Sequence, residues 1–133
     1  MSLDPASLSD DARAFLTECH LATLTTARAD GSPHVVAVGF SYDATARVAR
    51  VITWASSQKA KNAARMEAAG LRAAVSQVDG GRWLTLEGPV RLVTDADGVR
   101  AGVEGYTARY RPPKERDDRV VIEIAVDRIL GRP

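Results

Sequence analysis

Six β-rich runs recur along the chain, and most of them lie no more than a turn apart. Strands joined so closely pair antiparallel, because a parallel return needs a crossover of a dozen or more residues. The stretch "HLATLTTARADGSPHVVAVGFSY" reads as a hairpin turned by Asp30-Gly31. The runs "VARVITW", "LRAAVSQV", "RWLTLEGPVRLVT" and "RVVIEIAVDRIL" supply the remaining strands. Gly88-Pro89 inside the longest run predicts a bulge or bend, since proline cannot serve a central ladder. Three helical stretches fit between the strands. The first, "LSDDARAFLTEC", is capped by Ser9 and carries Asp10 and Asp11 at the end where the dipole favours negative charge. The second runs from about 57 to 69 and stops at Gly70. The third runs from an Asp95 cap to about Arg111, weakened by Gly98, Gly102 and Gly105. "RPPKERDD" reads as an exposed loop. These elements predict one α+β domain over residues 1–133, an antiparallel six-stranded barrel with flanking helices. Runs such as Val35–Phe40 are apolar on both faces, more than one small barrel interior needs, which predicts an oligomer that covers an outer sheet face.

Bulk properties exclude several function classes. The chain is 45% hydrophobic and 26% charged with a net charge of +1, so it can bury a core and has no general attraction to nucleic acid or acidic membranes. No apolar run approaches the roughly 20 residues that span a bilayer. The start, "MSLDPASLSDDARAF", has neither a basic region nor an apolar stretch, which predicts a cytoplasmic protein. A single cysteine, Cys19, excludes an intramolecular disulfide. Cys19, His20 and His34 are the only soft ligands, and their spacing matches no zinc motif. No Gly-x-Ser-x-Gly elbow is present. Glu87 and Glu123 lie within strand runs, where each can face water or pair with an arginine.

The segment "TWASSQKAKN" carries more chemistry. A helix start presents unpaired N–H groups and the positive end of a dipole. Ser56 and Ser57 add hydroxyls, while Lys59 and Lys61 sit where that dipole disfavours cations. An anion bound there would explain the lysines; plain solvation of two exposed side chains explains them equally well. Trp54 precedes the serines and Trp83 follows Arg82, so two indoles could frame a planar ring or could be core residues. A phosphate site beside flat apolar walls describes a flavin-like pocket.

The runs "SPHVVAVGF", "VITWASSQKAKNAAR", "SQVDGGRWLTLEGPV" and "YRPPKERDDRVVIEI" resemble the split β-barrel flavin and deazaflavin oxidoreductases, the relatives of pyridoxamine 5′-phosphate oxidase. Within that superfamily they are most similar to coenzyme F420-dependent biliverdin reductases. The resemblance covers about Leu8 to Leu130. It implies an FMN-binding-type split barrel, a homodimer with cofactor sites at the interface, and hydride transfer from reduced F420 to a conjugated small-molecule acceptor, biliverdin. It further implies that Lys59 meets the cofactor phosphate, supported by Ser56, Ser57 and Gln58, with Asn62 lining the same pocket. Backbone groups of Val36 and Val38 would lie near the polar edge of the ring, and Thr53 and Trp54 would flank it. Gln77, Arg82 and Trp83 would come from the partner subunit. The resemblance nominates no catalytic residue; Arg28, Arg47 and Arg111 are surface candidates for the acceptor's carboxylates. One departure stands out. FMN-using members carry arginine before the lysine, where this chain has Gln58. One cation fewer favours F420, whose phosphodiester and glutamate tail can be met by dispersed cations such as Lys61 and Arg65. The alternatives are an FMN-binding reductase or oxidase, and a non-catalytic protein that binds F420 or a tetrapyrrole.

Overall fold

The computed structural model describes residues 2–133. In chain order the elements are β1 (Ser2–Leu3), α1 (Asp10–Thr17), β2 (Ala22–Ala27), β3 (Pro33–Val38), β4 (Ser41–Asp43), β5 (Val48–Trp54), α2 (Gln58–Ala69), β6 (Arg72–Asp79), β7 (Arg82–Val93), α3 (Ala96–Arg109), β8 (Arg119–Ala125) and β9 (Arg128–Arg132). All strand pairings are antiparallel, as the short connections require. The sheet runs β3-β2-β6-β7-β8-β5-β4, with β9 joined to β7 and β1.

The expected six strands become nine, and the sheet does not close. Two of the additional strands, β1 and β4, are too short to leave a periodic signature. The third, β9, arises because the last apolar run breaks after Ala125. The cause lies in β7. Its first half pairs with β6 and β9, whereas Val90–Val93 pair with β8. Between them, Gly88 sits where any Cβ would overlap the Ala125 carbonyl. The anticipated bend at Gly88-Pro89 is therefore the point at which the chain changes partners. The amide of Asp127 donates to the Glu87 carbonyl at 3.1 Å, and β9 starts from there.

The helices follow their local signals. Ser9 accepts from the Ala12 amide, and Asp95 accepts from the Gly98 amide at 3.0 Å. Gly70 closes α2 in the left-handed conformation. The glycines of α3 serve close packing: a Cβ on Gly102 would press into Val121 and Ile52, and one on Gly105 into Ser41. The helix consequently lies tight against β4, β5 and β8. The core joins Phe15 of α1 and Met66 of α2 to Leu24, Val51, Val75, Leu84, Leu86, Ile122 and Ile124 of the strands. Glu123 is buried in β8 and pairs with Arg50 at 3.2 Å and Arg91 at 2.7 Å. Residues 111–118 form the exposed loop anticipated for "RPPKERDD".

One face of β3-β2-β6-β7 is left outside. Thr23 opposes Ala37 and Ser76, Thr25 opposes Val35 and Ala74, and Val78 opposes Trp83. Leu21, Val35 and Val78 are more than half exposed, at 69%, 55% and 67%.

Candidate functional site

The turn from β5 into α2 is fixed by a short relay. Ser57 has extended backbone angles and caps α2 by accepting from the Ala60 amide at 3.2 Å. Thr53 donates its hydroxyl to Ser57 Oγ at 2.9 Å, tying the strand end to the helix start. The Ser57 amide reaches back to the Trp54 carbonyl. The first turn of α2 then contains no acidic residue, but it does contain Lys59. Its Nζ lies 4.8 Å from the centre of the Trp54 ring, within cation–π range. Half-burial holds the Lys59 ammonium below the usual lysine pKa, and no carboxylate acts to restore it.

Lys59 opens into a cleft of about 690 Å³. One wall is the end of β3, with Ala37, Val38 and Gly39; another is Ile52 of β5 and Tyr106 of α3. The loop after α3 forms the rim and brings Arg111 and Lys114, while β8 brings Arg119. Lys59, Arg111, Lys114 and Arg119 thus line the cleft with no carboxylate among the lining residues. The rim is held from both sides. Arg119 donates to the Lys114 carbonyl at 2.6 Å. Arg116 lies 5.0 Å from the Trp54 ring while paired with Asp118 at 2.9 Å. A half-buried cation among three others, beside an apolar strand edge and two aromatic rings, suits an anionic ligand with a flat body. A second cleft, of about 470 Å³ between α1, β4 and α3, mixes Asp43 and Glu104 with Arg50 and has no such bias.

Of the residues singled out in the sequence, Val38 and Lys59 line the cation-rich cleft. Thr53, Trp54 and Ser57 build the turn that carries Lys59. Val36 is half-buried on the same face of β3 as Val38, and Ser56 and Gln58 are exposed at the mouth of α2. Asn62 is fully buried one turn further in. Its Nδ2 donates to Thr26 Oγ1 at 3.1 Å, and its Oδ1 accepts from Gln58 Nε2 at 2.8 Å. Within this chain Asn62 therefore supports the helix from behind. Gln77, Arg82 and Trp83 stand apart from the cleft. Gln77 is buried and bonded to the Phe15 carbonyl and to Arg109. Arg82 pairs with Glu18 and Asp79, and Trp83 sits on the outward sheet face. Lys114, Arg119 and Tyr106 escaped the reading of the sequence. The cation density of "RYRPPKERDDR" was the available signal; only Arg111 had been drawn from it.

Comparison with known proteins identifies the family and the fold. The sequence pattern of the family described as pyridoxamine 5′-phosphate oxidase matches residues 8–132. The chain is 57% identical over 124 residues to the F420H(2)-dependent biliverdin reductase of Mycobacterium tuberculosis (strain CDC 1551 / Oshkosh), covering 93% of this chain and 88% of that protein. Among solved structures, an F420 reductase is 26% identical with a TM-score of 0.70, over 92% of this chain and 98% of its own. A conserved hypothetical protein of Mycobacterium tuberculosis has the same fold at 22% identity, with a TM-score of 0.75 over 95% of this chain and 85% of its own. The open antiparallel sheet with its flanking helices is the fold these proteins share, and the chain belongs to the pyridoxamine 5′-phosphate oxidase family.

Proposed function

We propose that this protein is an F420H2-dependent reductase that works as a homodimer in the cytoplasm and acts on a conjugated acceptor of biliverdin type. The observation that carries the reading is Lys59, a half-buried cation without a carboxylate partner, in a cleft that offers only positive charge. The 57% identity to an F420H(2)-dependent biliverdin reductase supports the choice of cofactor and acceptor. Lys59 holds the cofactor phosphate, with Ser56, Ser57 and Gln58 supporting it and Asn62 bracing the helix behind. Backbone groups of Val36 and Val38 face the polar edge of the ring, while Thr53 and Trp54 flank it. Arg111, Lys114 and Arg119 meet the remaining acidic groups of cofactor and acceptor. When bound, the reduced deazaflavin supplies the hydride; the protein supplies orientation and charge.

The apolar outer face of β3-β2-β6-β7 supports the homodimer, since a second copy would cover Val35, Val78 and Trp83. Of the three residues expected from the partner side, Trp83 and Arg82 are accessible to a second copy, whereas Gln77 is buried and bonded within its own chain. No helix among the described residues is long and apolar enough to cross a membrane.

An assay with purified protein, reduced F420 and biliverdin tests the reading, with reduced FMN in parallel. The expected result is consumption of reduced F420 in step with loss of biliverdin, and none with FMN. Turnover with FMN alone would shift the chain to flavin chemistry. Binding of F420 without consumption would make it a carrier.

A further inference from the structure

The end of α3 carries a second buried cation that the cleft does not use. Arg109 is only 8% exposed and has no carboxylate partner. An arginine remains charged under these conditions, so burying it without a counter-ion is expensive unless every donor is met. Here four of the five donors are met by neutral oxygens. The guanidinium donates to the Glu18 carbonyl at 2.8 Å, the Phe40 carbonyl at 2.8 Å, the Phe15 carbonyl at 3.4 Å and Gln77 Oε1 at 2.6 Å. Two of these carbonyls lie at the C-terminal end of α1, where the helix dipole favours a cation. Its fork also lies 4.7 Å from the Phe40 ring and 5.4 Å from the Tyr110 ring. One side chain thereby ties together α1, β6 and the exit of β3.

Tyr110 completes the grip. Its hydroxyl donates to the His20 carbonyl at 2.6 Å and accepts from the Phe40 amide at 3.2 Å. Phe40 is thus held by its N–H through Tyr110 and by its carbonyl through Arg109. Gly39, one residue earlier, lies under the rings of Tyr106 and Tyr110; a Cβ there would come within 3.0 Å and 3.1 Å of them. Val38, Gly39 and Tyr106 are walls of the cation-rich cleft.

We propose that Arg109 and Tyr110 are positioning residues: they fix the Val38–Gly39 wall that the cofactor ring faces, and so set the rate of hydride transfer while Lys59 sets affinity. The inference rests on the F420 reading above. It follows from the separation of the two ends of the cleft. The cations anchor the charged part of the ligand, whereas the wall orients its flat part, and a misplacement of about 1 Å can cost a factor of roughly 100 in rate.

Tyr110→Phe and Arg109→Lys test it, with Ile129→Val in the remote core as a control for stability. Amide exchange of the cofactor-free protein is read first. Tyr110→Phe should speed exchange at Phe40 by about tenfold or more and leave the β6 and β7 amides unchanged, because the bonds lost, to the Phe40 amide and the His20 carbonyl, are all local. Kinetics with reduced F420 are read next. Both variants should lower kcat by about tenfold while the dissociation constant for F420 moves less than about threefold, the pattern of an interaction realised in the transition state. Lys59→Ala should show the opposite split. Unchanged kcat in Tyr110→Phe overturns the proposal. So does an affinity loss that matches the rate loss, an equal rate loss in Ile129→Val, or unaltered exchange at Phe40. Wild-type protein that binds no F420 overturns the functional reading and this one with it, and that result is seen before any variant is compared.

Discussion

Lys59 occupies a place where a helix dipole ordinarily favours a carboxylate, and half-burial raises the cost of its charge further. The two effects act in the same direction, so an anion that keeps the lysine protonated is bound more tightly than an exposed lysine would allow. The sign of the pH dependence follows. The cofactor-free pKa is depressed, and binding requires the protonated form. Affinity should therefore be level at low and neutral pH and fall as pH rises through a value below the ordinary lysine pKa of about 10.4. A binding series across pH checks this, and Lys59→Ala should remove the inflection. Lys59 and Ser57 stood out in the sequence because the helix start and its dipole are local, whereas Thr53 entered only through the family resemblance. Gln77 and Arg109 were not legible, because their burial is decided by α1 and β3, which pack on them from far along the chain.

At the scale of elements, the strand runs and all three longer helices could be read from periodicity and caps, whereas β1, β4 and β9 could not. Their pairing depends on distant partners: Ser2 opposes Leu130, and Trp83 opposes Arg132. The Gly88-Pro89 signal announced a bend but not that the sheet changes partners there. Gly88→Ala should consequently be severe. Its Cβ would overlap the backbone of Ala125, which no side-chain rotation relieves, and about 3 kcal/mol of stability should be lost in a denaturant titration. Ser57→Ala should cost less, about 1 kcal/mol, through the lost cap. It also leaves the Thr53 hydroxyl without its acceptor, so Ser57→Ala and Thr53→Val should be non-additive in a double-mutant cycle.

For the whole molecule, the apolar strand faces noticed in the sequence are accounted for by an outer sheet surface of threonines, alanines, valines and Trp83. An exposed face of this kind fits association better than solvent. Val78→Lys, at a position 67% exposed, should leave the fold intact and shift the proposed dimer to monomer in sedimentation. F420 affinity should fall with it, since Trp83 lies on that surface, away from the cleft of its own chain. A monomeric variant with full affinity would place the entire site within one chain.

The central claim is that the cleft at the start of α2 holds the phosphate of F420 through Lys59, and a side-by-side titration of wild type and Lys59→Ala with F420 and FMN tests it most directly. The wild type should bind F420 in preference to FMN, and the variant should lose about 1.5–3 kcal/mol of F420 affinity, the scale of a charge-assisted hydrogen bond. Equal affinity of the two proteins for F420, or wild-type binding that favours FMN, would contradict it.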